Sequence, residues 1–306
     1  MSTPLIPYKI NRRWISPVLV GFAAFLWATD ALIRYPAIQQ ADPTIMVFIE
    51  HILAVLILFP WLFLKSGKAL FDLSPSEWAA AIFSGVGGSA IATVYFTASF
   101  LYINPSVAVL LQKLQPVIVV ILAYLFLGER PERKFFFWGA IALIAGIILS
   151  FPDLNFSFLN HGVNVHSKGI QYAFAAAFLW AAATVSGKIL LKRTPPTLAT
   201  FWRFFFGLIA LSAILLLSKS QPNFDLFKSD SAILAVLYLS LVPGLLAMLV
   251  YYNGLSGTSA SLATLIELIY PIGAVVLNTV FLQTELIPIQ TAAGLILICA
   301  VAMISF

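Results

Sequence analysis

Six ionisable residues, Asp30, Glu50, His51, Lys113, Arg203 and Glu267, lie inside long apolar stretches of the chain. A charge at the middle of an apolar helix costs about 2.5–3.5 kcal/mol on insertion scales, so such residues pair with one another or serve a ligand or a proton. Arg34, one turn beyond Asp30, completes a balanced set of three acids (Asp30, Glu50, Glu267) and three permanent bases (Arg34, Lys113, Arg203). Balance makes structural pairing feasible throughout, most directly between Asp30 and Arg34 on one helix face. Lys113 and Glu267 point further, because each stands beside a proline break. In LLQKLQP, residues 110–116, Gln112 precedes Pro116 by four positions, and Glu267 precedes Pro271 by four. Proline removes a backbone donor and frees the carbonyl four residues back. The carbonyls of Gln112 and Glu267 are therefore expected to stand unpaired beside their polar side chains, as suits a cavity wall.

The chemistry open to this set is recognition of a small polar or amphipathic molecule. Lys113 could meet a carboxylate, Glu267 or Glu50 an ammonium, and Tyr95, Tyr251, Tyr270, Trp27 and Trp180 could enclose an apolar group. Glu50, His51 and Glu267 are also candidates for proton coupling. Aromatic residues equally fill cores and membrane interfaces, so their role depends on where the fold puts them. Cys299 is the single cysteine, which leaves no disulfide framework. No cofactor motif, metal cluster or Walker sequence is present, so no cofactor is expected and ATP-driven transport by this chain is disfavoured.

The elements that position these residues must be membrane helices. The chain is 61% hydrophobic and 9% charged, against about 25% charged in ordinary soluble domains. A span needs about 20 mainly apolar residues, and the pattern predicts ten: roughly 17–37, 43–64, 76–100, 104–127, 133–151, 169–190, 196–218, 231–253, 258–282 and 287–305. The apolar run near the N-terminus carries Asp30 and is read as an uncleaved first helix rather than a signal peptide.

The two halves resemble each other. AAFLWATDALI in the first span echoes AAFLWAAATVS in the sixth, and TIMVFIEHILAVL in the second parallels TLATFWRFFFGLI in the seventh. This alignment sets Glu50 opposite Arg203, Gln112 opposite Glu267, Trp27 opposite Trp180 and Tyr95 opposite Tyr251. Five spans per repeat is an odd number, so the repeats enter the membrane with opposite orientation, an architecture whose site lies near the midplane between the halves. The expected organisation is a repeat over 1–151, a non-cytoplasmic linker over 152–168, and a second repeat over 169–306.

Lys and Arg concentrate on one side: Lys9, Arg12 and Arg13, then Lys65 and Lys68, Arg130, Arg133 and Lys134, and Lys188, Lys192 and Arg193. By the positive-inside rule both termini face the cytoplasm of a cell membrane. The same distribution accounts for the net charge of +5 without a nucleic-acid partner. Depth along the spans predicts two charge layers, Glu50 or Asp30 with Lys113 and Arg203 with Glu267. GVGG at Gly85–Gly88 reads as a site of close helix packing.

Ten spans in two halves, with LLQKLQPVIVVILAYLFLGE, LIELIYPIGAVVLNTVFLQTE, the paired FLWA segments and WRFFFGLIA, resemble the EamA family of the drug/metabolite transporter superfamily over essentially the whole chain. The resemblance implies a secondary transporter, an exporter or exchanger of amino acids or related metabolites working by alternating access around a central cavity and functional as a monomer. It implicates Tyr95, Gln112, Lys113, Tyr251, Glu267 and Tyr270 at the substrate. Glu50-His51 stands where the family places a basic residue in the first repeat, and an intramembrane Lys113 is atypical. The rival class is an integral membrane enzyme using Glu50 and His51 on a lipid-soluble substrate, but adjacent helical residues point about 100° apart.

Overall fold

A computed structural model describes residues 15–39, 41–127, 133–151, 153, 165–217, 229–258, 263, 266–267 and 269–305. The N-terminal basic residues Lys9, Arg12 and Arg13, Arg130, and most of the expected 152–168 linker lie outside the described residues. Every regular element described is helical. The α-helices are α1 (Ile15–Ala28), α2 (Asp30–Ala37), α3 (Pro43–Ser66), α4 (Pro75–Phe83), α5 (Ala92–Ser99), α6 (Pro105–Leu111), α7 (Gln115–Leu127) and α8 (Arg133–Ser150). They continue with α9 (Val165–Leu190), α10 (Pro196–Leu217), α11 (Asp230–Leu239), α12 (Ala247–Gly257), α13 (Ile269–Leu282) and α14 (Pro288–Ser305).

Local sequence explains where these helices begin. Asp42, Ser74 and Asn104 each precede a proline that takes the first helical turn, and each side chain accepts a backbone N–H of that turn. Proline fits there because its missing donor would be unpaired anyway. At Ser74 the cap is reciprocal, since Glu77 accepts the Ser74 backbone N–H at 2.8 Å.

Seven stretches of described helix are long and apolar enough to cross a membrane: Ile15–Ala37, Pro43–Lys65, Pro75–Ser99, Pro105–Phe126, His166–Leu190, Pro196–Leu217 and Asp230–Gly257. Helices also occupy the other three expected spans, as α8, α13 and α14. Large apolar side chains cover the outside; Leu64 and Leu216 are each 86% exposed. That surface suits lipid, which asks for no polar covering but requires every backbone group to be bonded within the protein.

Several of these stretches are interrupted. Thr29 breaks the first between α1 and α2, and a π-helical segment at Ser84–Ile91 joins α4 to α5. A second π segment at Ser240–Leu246 joins α11 to α12, and a 3₁₀ turn at Gln112–Leu114 separates α6 from α7. Packing pairs elements crosswise between the halves. α1 packs on α12 and α13, and α9 packs on α5 and α7. α3 packs on the second π segment, α10 on the first, while α3 meets α10 and α8 meets α14.

The GVGG stretch does bring helices close. A Cβ at Gly85 would lie 2.6 Å from Phe206 and 2.7 Å from the Arg203 carbonyl, so α10 rests directly on the first π segment there. Small residues permit this approach where lipid supplies no hydrophobic drive for association.

Candidate functional site

The helix interruptions converge on one place. Asp30 follows the Thr29 break, Gln112 and Lys113 form the 3₁₀ turn, Ser89 lies in the first π segment, Pro243 and Gly244 lie in the second, and Glu267 ends a turn before Pro271. All of them line a single cavity of about 160 Å³, with Trp27, Phe96, Trp180, Tyr251 and Tyr270 as its aromatic wall. Irregular backbone at membrane depth is tolerated where it lines such a cavity, and discontinuous helices around a central site are a transporter feature.

Arg34 organises one side. Its Nε donates to Asp30 Oδ1 and its Nη2 to Asp30 Oδ2, both at 2.7 Å, while Nη1 donates to Glu50 Oε1 at 2.7 Å. Thr97 Oγ1 accepts a further bond from Nη1 at 3.1 Å. The planar guanidinium thus holds one carboxylate with two parallel bonds and reaches a second, a geometry that lysine cannot supply. The sequence-based pairing is corrected here: Asp30 and Glu50 meet Arg34 rather than Lys113. Depth along a span does not specify the lateral neighbour, and the long Arg34 side chain reaches across to Glu50 on α3.

The second expected layer is corrected as well. Arg203 donates from Nη1 to the Tyr252 hydroxyl at 3.1 Å and from Nη2 to the Gly88 carbonyl at 3.3 Å, and does not pair with Glu267. Its Nε is buried with no partner among the described residues. Glu267 accepts a hydrogen bond from the Tyr251 hydroxyl at 2.8 Å and lies within reach of the charge of Lys113. Lys113 is 5% exposed, and its ammonium sits over the Tyr270 ring, 4.7 Å from the centroid. A desolvated cation–π contact of this kind is worth about 2 kcal/mol. Among the described residues Lys113 makes no ion pair within 4.0 Å and no hydrogen bond.

His51 is fixed rather than free. Its Nδ1 lies 2.7 Å from the Val47 carbonyl and its Nε2 2.9 Å from the Ser89 hydroxyl. A carbonyl only accepts, so Nδ1 carries the proton and Nε2 accepts from Ser89. A Cβ at Gly207 would lie 2.6 Å from the ring, so glycine there leaves His51 its place.

The carbonyls freed by the prolines are not left open. The Gln115 N–H bonds to the Gln112 carbonyl, and the Tyr270 N–H bonds to the Glu267 carbonyl at 3.0 Å. A tighter i to i+3 turn recovers each bond that proline removes, so the cavity gains a twisted helix rather than bare carbonyls. Trp27 shows a related use of irregular backbone: its indole N–H donates to the Pro243 carbonyl at 3.0 Å, and its ring lies 4.9 Å from that of Tyr251. Trp180 packs on Phe96 at 5.1 Å.

Of the expected site residues, Gln112, Lys113, Glu267, Tyr251, Tyr270, Trp27, Trp180, Asp30, Glu50, His51 and Arg203 all line the cavity, and Tyr95 does not. Tyr95 stacks on Tyr172, with centroids 5.1 Å apart and planes 3° from parallel. Gln115 of LLQKLQP lines the cavity too, and so do Ser89, Thr93 and Thr184, which were not singled out by sequence. Isolated Ser and Thr in a span carry no distinguishing signal, because they routinely bond the backbone of their own helix.

Comparison with known proteins fixes the family. The model of the EamA-like transporter family matches twice, over residues 14–151 and 167–306. The riboflavin transporter ImpX of Fusobacterium nucleatum is 31% identical over 295 residues, covering 94% of this chain and 96% of that protein. A transporter of Archaeoglobus fulgidus is 28% identical, covering 82% of this chain and 84% of its own length. A solved crystal structure superposes with a TM-score of 0.63 at 20% identity, covering 94% of this chain and 96% of the other, which shows the shared fold. The chain belongs to the EamA-like transporter family.

Proposed function

We propose that this EamA-family membrane protein is a secondary transporter of a planar, amphipathic heteroaromatic metabolite of the riboflavin kind, moved by alternating access. Two inverted five-span repeats, over 1–151 and 169–306, form the moving halves, with 152–168 as the linker outside and both termini in the cytoplasm. The twofold family match and the crosswise packing of helices support the duplication. With both halves in one chain, a monomer is the working unit, in the cell membrane, driven by a solute gradient or by exchange.

The observation that carries the substrate reading is the state of the charges. Every carboxylate in the cavity is engaged, Asp30 and Glu50 by Arg34 and Glu267 by Tyr251. The polar groups that remain are mostly donors: the Lys113 ammonium, the Gln112 amide and Arg203 Nε. An amino acid, the substrate expected from the family resemblance, would place its carboxylate on Lys113 and leave its ammonium only the second oxygen of Glu267, a carboxylate already held by Tyr251 and facing the Lys113 charge. A neutral ring bearing carbonyl oxygens meets the donors and lies against Trp27, Trp180 and Tyr270. The similarity to a riboflavin transporter supports the same choice. The cavity is smaller than the roughly 300–1,000 Å³ usual for drug-sized ligands, so binding requires the halves to part, as alternating access provides.

Counterflow in proteoliposomes tests this reading without assuming a direction. Vesicles loaded with unlabelled riboflavin are expected to accumulate labelled riboflavin transiently, while vesicles loaded with amino acids accumulate no labelled amino acid. Amino-acid counterflow with no riboflavin counterflow would overturn it.

A further inference from the structure

Gln112 is the one cavity residue whose whole side-chain amide is unused. Its Oε1 is buried without a partner, and its amide nitrogen makes no hydrogen bond among the described residues. An amide carbonyl shielded from water and left unbonded is disfavoured, and its surroundings offer an explanation. Lys113, the next residue on the same 3₁₀ turn, brings an ammonium that has a ring face beneath it and no hydrogen-bond acceptor. Both side chains line the cavity. Together they present a donor, an acceptor and a second donor: the Gln112 amide nitrogen, Gln112 Oε1 and Lys113 Nζ.

The complement of that pattern is an acceptor, a donor and an acceptor on one edge of a ring, which is a cyclic imide, a ring N–H between two carbonyls. We infer that Gln112 and Lys113 recognise a cyclic imide edge of the transported ring, Gln112 Oε1 accepting the imide N–H while its amide nitrogen and Lys113 Nζ donate to the flanking carbonyls. This rests on the riboflavin-like reading of the cavity and makes it more specific: the substrate class becomes imide-bearing heteroaromatic rings, with Gln112 the residue that determines specificity. Arg203 Nε, also buried in the cavity wall without a partner, is a further donor for the polar remainder of the ligand. Sites built to hydrogen-bond a particular group reject analogues lacking it far more strongly than apolar pockets do, because the wrong ligand strands buried polar atoms.

The test compares riboflavin with its 3-methyl derivative, in which the imide N–H is replaced by a methyl group and the rest of the ring is kept. Binding to the purified full-length protein is followed by quenching of flavin fluorescence. The 3-methyl compound is expected to bind about tenfold or more weakly than riboflavin to the native protein, one buried hydrogen bond and one steric conflict being lost. Gln112→Ala is expected to bring the two affinities within about twofold of each other, a ratio that a general loss of active protein does not change. Equal affinities in the native protein overturn the inference, and so does discrimination that persists in Gln112→Ala. The native-protein ratio decides the matter even where the variant does not fold. Counterflow with the same two compounds separates this inference from the transport reading. Flavin flux without discrimination overturns the imide edge alone, discriminating binding without flux overturns transport alone, and absence of flavin binding overturns both.

Discussion

Lys113→Ala is expected to weaken ligand binding about 10- to 100-fold, with counterflow falling in proportion, while the protein remains folded. The magnitude follows from a hydrogen bond to a charged group, worth about 1.5–3 kcal/mol, at 1.4 kcal/mol per factor of ten. The expectation that the fold survives rests on Glu267, which keeps its bond from Tyr251 when the lysine is gone. Lys113→Gln, which retains a donor without the charge, should fall between the two. Equilibrium binding and a melting curve on the same preparations check the prediction. Undiminished binding in a folded Lys113→Ala protein would mean that the ammonium serves only to balance Glu267.

Arg34→Gln is expected to be the most destabilising single change, by about 3–5 kcal/mol, the usual cost of stranding a buried charge by removing its partner. Here two carboxylates depend on one guanidinium, and the side chains of Arg34, Asp30 and Glu50 are only 4%, 13% and 6% exposed. The prediction has a diagnostic form. Adding Asp30→Asn and Glu50→Gln to Arg34→Gln removes both stranded charges, and should recover most of the lost thermal stability, since replacing a buried ionic cluster as a whole is far less costly than breaking it. A triple variant no more stable than Arg34→Gln would show that the arginine acts through something other than these two acids.

Much of this arrangement could be read from the sequence. Intramembrane charge is costly enough that Asp30, Glu50, Lys113, Arg203 and Glu267 had to converge on one another or on a cavity, and they do. The Gln112–Pro116 and Glu267–Pro271 spacing marked both helix breaks, because proline acts on its own backbone at a fixed offset. What the sequence did not convey was partnership across helices. Arg34 looked committed to Asp30 one turn away, and only the folded chain reveals that its side chain also reaches Glu50 on α3. Tyr95, the repeat counterpart of Tyr251, turns instead to Tyr172, since two halves with different side chains need not fill equivalent positions alike. The π segments were hidden in the same way. GVGG announced close packing, but the extra residue in the turn appears only when α10 and the first π segment are seen together.

The account turns on the cavity being where the ligand binds, and thiol protection measures that most directly. Cys299 is exposed away from the cavity, so Cys299→Ser gives a background without reactive thiols. Thr93→Cys then places one thiol on the cavity wall at a partly buried position to which no ligand contact is assigned. Riboflavin at saturating concentration is expected to slow maleimide labelling of that thiol severalfold, and an amino-acid mixture is expected to leave the rate unchanged. Labelling at the same rate with and without riboflavin, in protein shown to bind it, would contradict the account and place the binding site elsewhere.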